Sequence, residues 1–258
     1  RRANLDKPEM VCCVASGFEG IGRKRFMDHC LKKSHILRES SSYNLIQMEL
    51  HESIEDFILK LSDLSSGQDN PSTVMALKTP EEKIERVVSL LKSLQDSREI
   101  VFVEDAGCLI TPAQEMIPWL KSALGSVKSR FVLGIASKYP LKRTKCAPHV
   151  FSIRLSELNK NDRINMFREY SEQSGLNLER DTLQTVSGLL TGYPTQIFWA
   201  VTVLNEYGSE EITSHLHEIV DYSSDKAATI LRHFETNEKA INFLAYLSRF
   251  EILSADML

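Results

Sequence analysis

The chain has 258 residues, 42% of them apolar, and 31 basic against 35 acidic side chains for a formal net charge of −4. That length accommodates one large domain or two modest ones, and near-balanced charge argues against a general nucleic-acid binder, leaving room only for a local basic patch. No apolar run reaches the roughly 18 residues that span a bilayer, and residues 1–10 carry charges and Pro8 with no apolar core, so neither a membrane span nor a secretory leader is expected. The expected location is the cytoplasm, and the start at Arg1 reads as the beginning of a piece of a longer chain. Cys12, Cys13, Cys30, Cys108 and Cys146 lack zinc-knuckle spacing and read as small thiols in a reducing compartment. His215 and His217, two apart, point to different helix faces, so no metal site is expected from them.

In chain order, Val11–Ala15 is a continuous apolar strand and Phe26–Lys33 a short helix. Tyr43–Leu50 alternates and reads as a second strand, and Ile54–Leu64 has helical spacing. Ser65 to Lys78 is polar and reads as a loop. Thr79-Pro80-Glu81-Glu82 has the form of a capping box with proline at the first helical position, opening a helix to about Asp96. Ile100–Val103 is the third strand, ending in Glu104-Asp105, and Thr111-Pro112 repeats the cap signal before a helix through Leu124. Phe131–Ala136 and Val150–Leu155 are the fourth and fifth strands. Near-continuous apolar strands separated by helices imply a parallel sheet covered on both faces. Beyond Leu155 helical spacing dominates, over about 157–173, 179–190, 195–206, 209–221, 225–234 and 237–249, with a last strand at Glu251–Leu253. The expected organisation is an α/β domain over 1–152, a helical module over 153–222 and a third, truncated piece over 223–258.

Chemistry concentrates in the turn after the first strand, Gly17-Phe18-Glu19-Gly20-Ile21-Gly22-Arg23-Lys24-Arg25. Strand, glycine-rich turn and helix are the setting of a phosphate-binding P-loop, whose backbone N–H groups wrap a phosphate at a helix N-terminus. Gly17 and Gly22 keep the spacing of that motif, and Gly20 lies between them. Arg23 stands at the lysine position and can still meet phosphate through its planar fork. Lys24 stands at the Ser/Thr position that ligates magnesium, and it cannot ligate a cation. Glu104-Asp105 at a strand end has the form of a Walker B pair, the first acid holding magnesium through water and the second polarising an attacking water. Ser137-Lys138 follows the fourth strand, where a polar or basic residue senses a terminal phosphate, and Lys138 is the candidate. Lys142, Arg143 and Lys145 read as a solvated loop.

Taken together, these pieces resemble the STAND class of signalling NTPases, relatives of the AAA+ ATPases that include NLR immune receptors and bacterial antiphage sensors. The loop at 17–25 resembles Walker A, Val101-Phe102-Val103-Glu104-Asp105 resembles Walker B, and Ala136-Ser137-Lys138 resembles the sensor segment. Leu190-Thr191-Gly192-Tyr193-Pro194 resembles the GxP motif of the helical lid, and Asn237–Leu258 resembles the start of a winged helix. The resemblance implies a P-loop NTPase with a five-stranded parallel sheet in order 5-1-4-3-2, a helical lid, and ADP or ATP held by Gly17, Gly20, Gly22, Arg23, Lys24, Arg25, Lys138 and Pro194. Glu104 and Asp105 would be the catalytic acids. It implies a nucleotide-dependent oligomerisation switch in innate immunity or antiviral defence, with an effector domain before the chain and a sensor after it. The departures at Arg23 and Lys24 imply weak or absent hydrolysis and binding that does not require magnesium. Two other readings share the fold: a nucleotide-free interaction scaffold, and an AAA-like DNA-binding ATPase of the replication-initiator type. Charge balance and the lack of an evident basic helix weigh against the last.

Overall fold

The computed structural model describes residues 10–33, 43–65, 69–127, 130–232 and 237–247. It divides into two compact units, Arg1–Ser156 and Glu157–Leu258. The first holds five strands, β1 (Cys12–Ser16), β2 (Tyr43–Met48), β3 (Ile100–Asp105), β4 (Leu133–Ser137) and β5 (Val150–Arg154). All pairings are parallel, as the apolar strand pattern implied, and the order is β2-β3-β4-β1-β5, as the family resemblance implied. The central position of β1 explains its composition: every residue of Cys-Cys-Val-Ala-Ser is buried.

Strand alternation sorts side chains into two cores, as period-two geometry requires. Cys12, Val14, Val101, Val103, Leu133 and Ile135 face one, with Phe57, Ile58, Leu91, Leu94, Leu120 and Leu124 from the covering helices. Those helices are α2 (Ile54–Leu64), α4 (Pro80–Asp96) and α5 (Pro118–Gly125). Cys13, Ala15, Ile100 and Phe102 face the other, under Met27 and Leu31 of α1 (Arg23–Lys33). Gly134 leaves room for Met27 on that face, since a Cβ there would lie 2.7 Å from Met27 Cε. The helix after β1 therefore covers one face of the sheet, and the helix after β3 covers the other. Where consecutive crossovers diverge in this way, a crevice opens at the carboxyl ends of the strands, and open α/β sheets use it for ligands.

Several boundaries differ from the sequence reading. α1 starts at Arg23, three residues early, because the glycine turn feeds it directly and the Phe26 N–H reaches Gly22 O at 2.8 Å. The polar stretch after α2 contains a short helix, α3 (Pro71–Met75), closed by a reciprocal cap between Asn70 and Thr73. The cap read at Thr111-Pro112 is a turn. Thr111 N–H bonds Glu115 O, Ile110 pairs with Met116 across an isolated bridge, and α5 opens only at Pro118. At Thr79 the reciprocal cap with Glu82 forms as read, and α4 ends at Asp96.

The second unit contains α6 (Lys160–Gln173), α7 (Arg180–Leu189), α8 (Pro194–Arg232) and α9 (Glu238–Leu247). Phe167, Val186, Ile197, Ala200, Val201, Leu204 and Ile219 form its core. The run α8 was read as three helices. It breaks at Gly208 (φ 80°, ψ 163°), and residues 221–225 remain helical. Buried Gln196 ties this unit together. Its Oε1 accepts from Thr191 N–H and Oγ1 at 2.6 and 2.7 Å, and its Nε2 donates to Ile219 O at 3.2 Å. Glu251–Leu253 and most of the residues assigned to a winged helix beyond α9 lie outside the described residues. Among the described residues no helix is long and apolar enough to cross a membrane.

Candidate functional site

The sheet register brings the sequence candidates of the first unit to one edge. Ser16 ends β1 opposite Ser137 of β4, and Ser137 lies opposite Asp105 of β3. The loop after β1, the acid pair on β3 and Lys138 after β4 therefore share the carboxyl end of three adjacent strands. Pro194 belongs to the second unit, where it opens α8 after a turn whose Gly192 would place a Cβ 2.7 Å from Leu158 O.

Loop 17–22 adopts a conformation that its glycines permit. Gly20 (φ 85°) and Gly22 (φ 87°) sit in the left-handed region, which costs an L-residue about 1–2 kcal/mol. A Cβ on Gly17 would lie 2.8 Å from Ile21 Cγ2 and 3.1 Å from Leu155 O. Leu155 N–H in turn bonds Ser16 O at 2.7 Å, anchoring the loop's root to β5. The loop then delivers three consecutive cations, Arg23, Lys24 and Arg25, to the first turn of α1, which carries no acidic residue.

The three cations differ. Arg23 is half-buried, and its Nη1 is fully buried with no hydrogen-bond partner. Burial pulls its guanidinium below the ordinary range, against the opposing charges of Glu19, Asp105 and Glu104. Lys24 is exposed, but its Nζ lies 2.9 Å from Glu104 Oε1. Arg25 is exposed on the next position.

The two acids also differ. Glu104 accepts from Lys24 and, at 3.2 Å, from Gln47 Nε2 on the neighbouring strand. Partial burial works to raise its pKa, but the hydrogen bonds from Lys24 and Gln47 and the charges of Lys24 and Arg23 outweigh it, leaving the carboxyl below its ordinary value. Asp105 is 3% exposed. Its Oδ1 accepts from the N–H groups of Gly107, Cys108 and Leu109 at 2.9–3.0 Å, and its Oδ2 from Ile110 N–H at 3.0 Å and Ser137 Oγ at 2.9 Å. A carboxylate offers about four lone-pair sites, so this one is filled. Asp105 was expected to polarise a water. Its geometry instead makes it the clasp of the loop 106–110, because turning toward a water would strand several buried donors. Lys138 is exposed, with its N–H on Asp105 O at 3.3 Å and its Nζ 5.7 Å from the Tyr139 ring centroid.

Two contributors were missed in the sequence. Gln47 reaches Glu104 because β2 pairs with β3 at that register, and Ser137 fixes Asp105 across β4. Gln47 has no local motif, and although Ser137 sits in the sensor segment, its bond to Asp105 is set by a strand neighbour far away in sequence.

Magnesium would need several oxygen ligands in near-octahedral array. The residues present do not fit it: position 24 holds an ammonium, Glu104 is held by that ammonium, and Asp105 is saturated. A glycine loop feeding a helix N-terminus is a setting that suits a phosphate, and Arg23 is the first residue of that helix.

No family model and no curated protein matches the chain. Solved structures do. The Walker-type ATPase PABY2304 of Pyrococcus abyssi superposes at TM-score 0.54 with 12% identity, over 90% of this chain and 72% of that one. The ORC2 protein of Aeropyrum pernix, solved as ADPNP-ADP complexes, superposes at TM-score 0.51 with 12% identity, over 84% of this chain and 63% of that one. Its ADP form gives 0.50 and 13%, over 83% of this chain and 62% of that one. At this level of identity the likeness establishes the fold, which is that of the P-loop ATPases.

Proposed function

We propose that the first unit binds an adenine nucleotide, ADP or ATP, at loop 17–22 and works as a nucleotide-dependent switch rather than as a turnover enzyme. The observation that carries this reading is Arg23. A guanidinium nitrogen buried without a partner is costly, and here it belongs to the first helical residue after the glycine turn. Gly17, Gly20 and Gly22 would admit the phosphates to the backbone, and Arg23 would take a phosphate oxygen. Arg25 and Lys138 would contribute peripheral positive charge. Hydrolysis is weak or absent in this reading, because Asp105 is committed to its loop and Glu104 to Lys24. The order of motifs along the chain supports the more specific version, a STAND-type module that self-associates in signalling or defence between an effector domain and a sensor.

The test is the nucleotide content of freshly purified protein together with a thermal-shift series. Released ADP, or a melting temperature raised by added ADP through ligand linkage, is the expected result. No released nucleotide and an unmoved melting point would leave the interaction scaffold as the function. Likeness to the ORC2 fold supports a second reading, an AAA-like DNA-binding ATPase of the replication-initiator type. Retention on duplex DNA at physiological salt would favour it.

A further inference from the structure

In the nucleotide site proposed above, the residues present do not suit a metal that would neutralise the phosphates, yet a positive charge lies between the loop and the acid. Lys24 lies one residue after Arg23 on the first turn of α1, and its Nζ is 2.9 Å from Glu104 Oε1 on β3. Gln47 Nε2 holds the other oxygen of Glu104 at 3.2 Å. The acid is thus fixed from two sides, and a positive charge sits between it and the loop. A helix N-terminus favours anions and is destabilised by cations, so Arg23, Lys24 and Arg25 in one first turn are mutually unfavourable until an anion joins them. Glu104 pairs directly with Lys24. The Nη1 of Arg23 stays buried and unpartnered, and burial lowers its pKa despite the nearby acids.

We propose that the Lys24–Glu104 ion pair stands in for the divalent cation, so that this site takes a nucleoside diphosphate free of metal. The inference rests on the nucleotide reading and sharpens its ligand. Lys24 Nζ is held by Glu104, and it keeps donors for a phosphate oxygen, because an ammonium has three. A divalent cation entering beside it would meet like charge at contact distance with no free carboxylate to hold it. A third phosphate would bring more negative charge toward Glu104 with no metal between them, so the diphosphate is the preferred ligand.

Calorimetry with ADP and with ATP, in EDTA and in magnesium, tests this on the unaltered protein and on Lys24→Ser. The Lys24 side chain is 52% exposed, so the substitution leaves the core intact. For the unaltered protein, ADP affinity should agree within about threefold between EDTA and magnesium, and ADP should bind more tightly than ATP in EDTA. Lys24→Ser restores a hydroxyl and frees Glu104, so its ADP affinity should fall in EDTA by about tenfold or more and recover with magnesium. A drop of tenfold or more on chelation in the unaltered protein, or ATP equal to ADP in EDTA, overturns the ion-pair inference while leaving nucleotide binding in place. Absence of ADP binding in both buffers overturns the nucleotide reading and this inference together.

Discussion

Two loops leave the same edge of the sheet, and they treat buried charge in opposite ways. After β3, the chain from Ala106 to Ile110 wraps the Asp105 carboxylate with four backbone N–H groups, and Ser137 adds a fifth donor. After β1, the loop 17–22 brings Arg23 inward and leaves its Nη1 without any partner. A buried ion satisfied by its own chain is part of the fold. A buried nitrogen left without a hydrogen-bond partner costs the fold stability instead. The difference is that the two acids have different partners here, Asp105 the loop and Ser137, Glu104 Lys24 and Gln47.

The largest effect should come from Asp105. Replacing it with alanine strands several buried donors, and unfolding in urea should show a loss of roughly 3–5 kcal/mol. Asp105→Asn keeps acceptor capacity on one side and should lose less. A stable Asp105→Asn that had lost only ATPase turnover would return Asp105 to catalysis and break the comparison.

Arg23→Ala should cost about 1.5–3 kcal/mol of ADP binding, the worth of a hydrogen bond to a charged group. Calorimetry reads that loss directly. The apo protein should lose little stability, because one buried guanidinium nitrogen without a hydrogen-bond partner has been removed while the opposing charges of Glu19, Glu104 and Asp105 remain nearby. A marked fall in apo melting temperature would mean that Arg23, like Asp105, serves the fold.

Gly22→Ala forces an L-residue to φ 87° and should cost about 1–2 kcal/mol. A thermal melt, followed by an ADP titration, should show both stability and affinity reduced, since in the proposed reading the same turn holds the phosphates.

Acid should have the smallest effect. The Glu104 carboxyl has a lower pKa in the folded chain than its ordinary value of 4.5. Its contribution to stability is therefore complete above that value and is lost as pH falls through the lower folded one. The pair is partly exposed, so the loss should stay below about 1 kcal/mol. Comparing acid melts of the unaltered protein and Glu104→Gln isolates it, and identical pH profiles would show that the Lys24–Glu104 contact contributes nothing to stability.

Much of the fold was legible along the chain. The β1 run, the helix Ile54–Leu64 and the capped helix Pro80–Asp96 follow from apolar period and cap chemistry, which act over a few residues. The Thr111-Pro112 signal misled because a Thr-Pro start caps a turn as readily as a helix, and here the bridge between Ile110 and Met116 claims the segment. The helical break at Gly208 was legible. The continuity of 221–225 was not, because no glycine or proline marks that stretch either way.

For the site, the sequence by itself determined the loop. Gly17, Gly20 and Gly22 between a buried strand and a helix dictate a turn that lets backbone approach a ligand, and Arg23 and Lys24 announce that the usual magnesium ligand is missing. Only the tertiary structure decided what each charge does. The register of β2 on β3 put Gln47 against Glu104, the register of β4 put Ser137 against Asp105, and the approach of α1 to β3 joined Lys24 to Glu104. Those partners lie tens of residues apart, and their pairing depends on strand neighbours and helix placement, which no local spacing encodes.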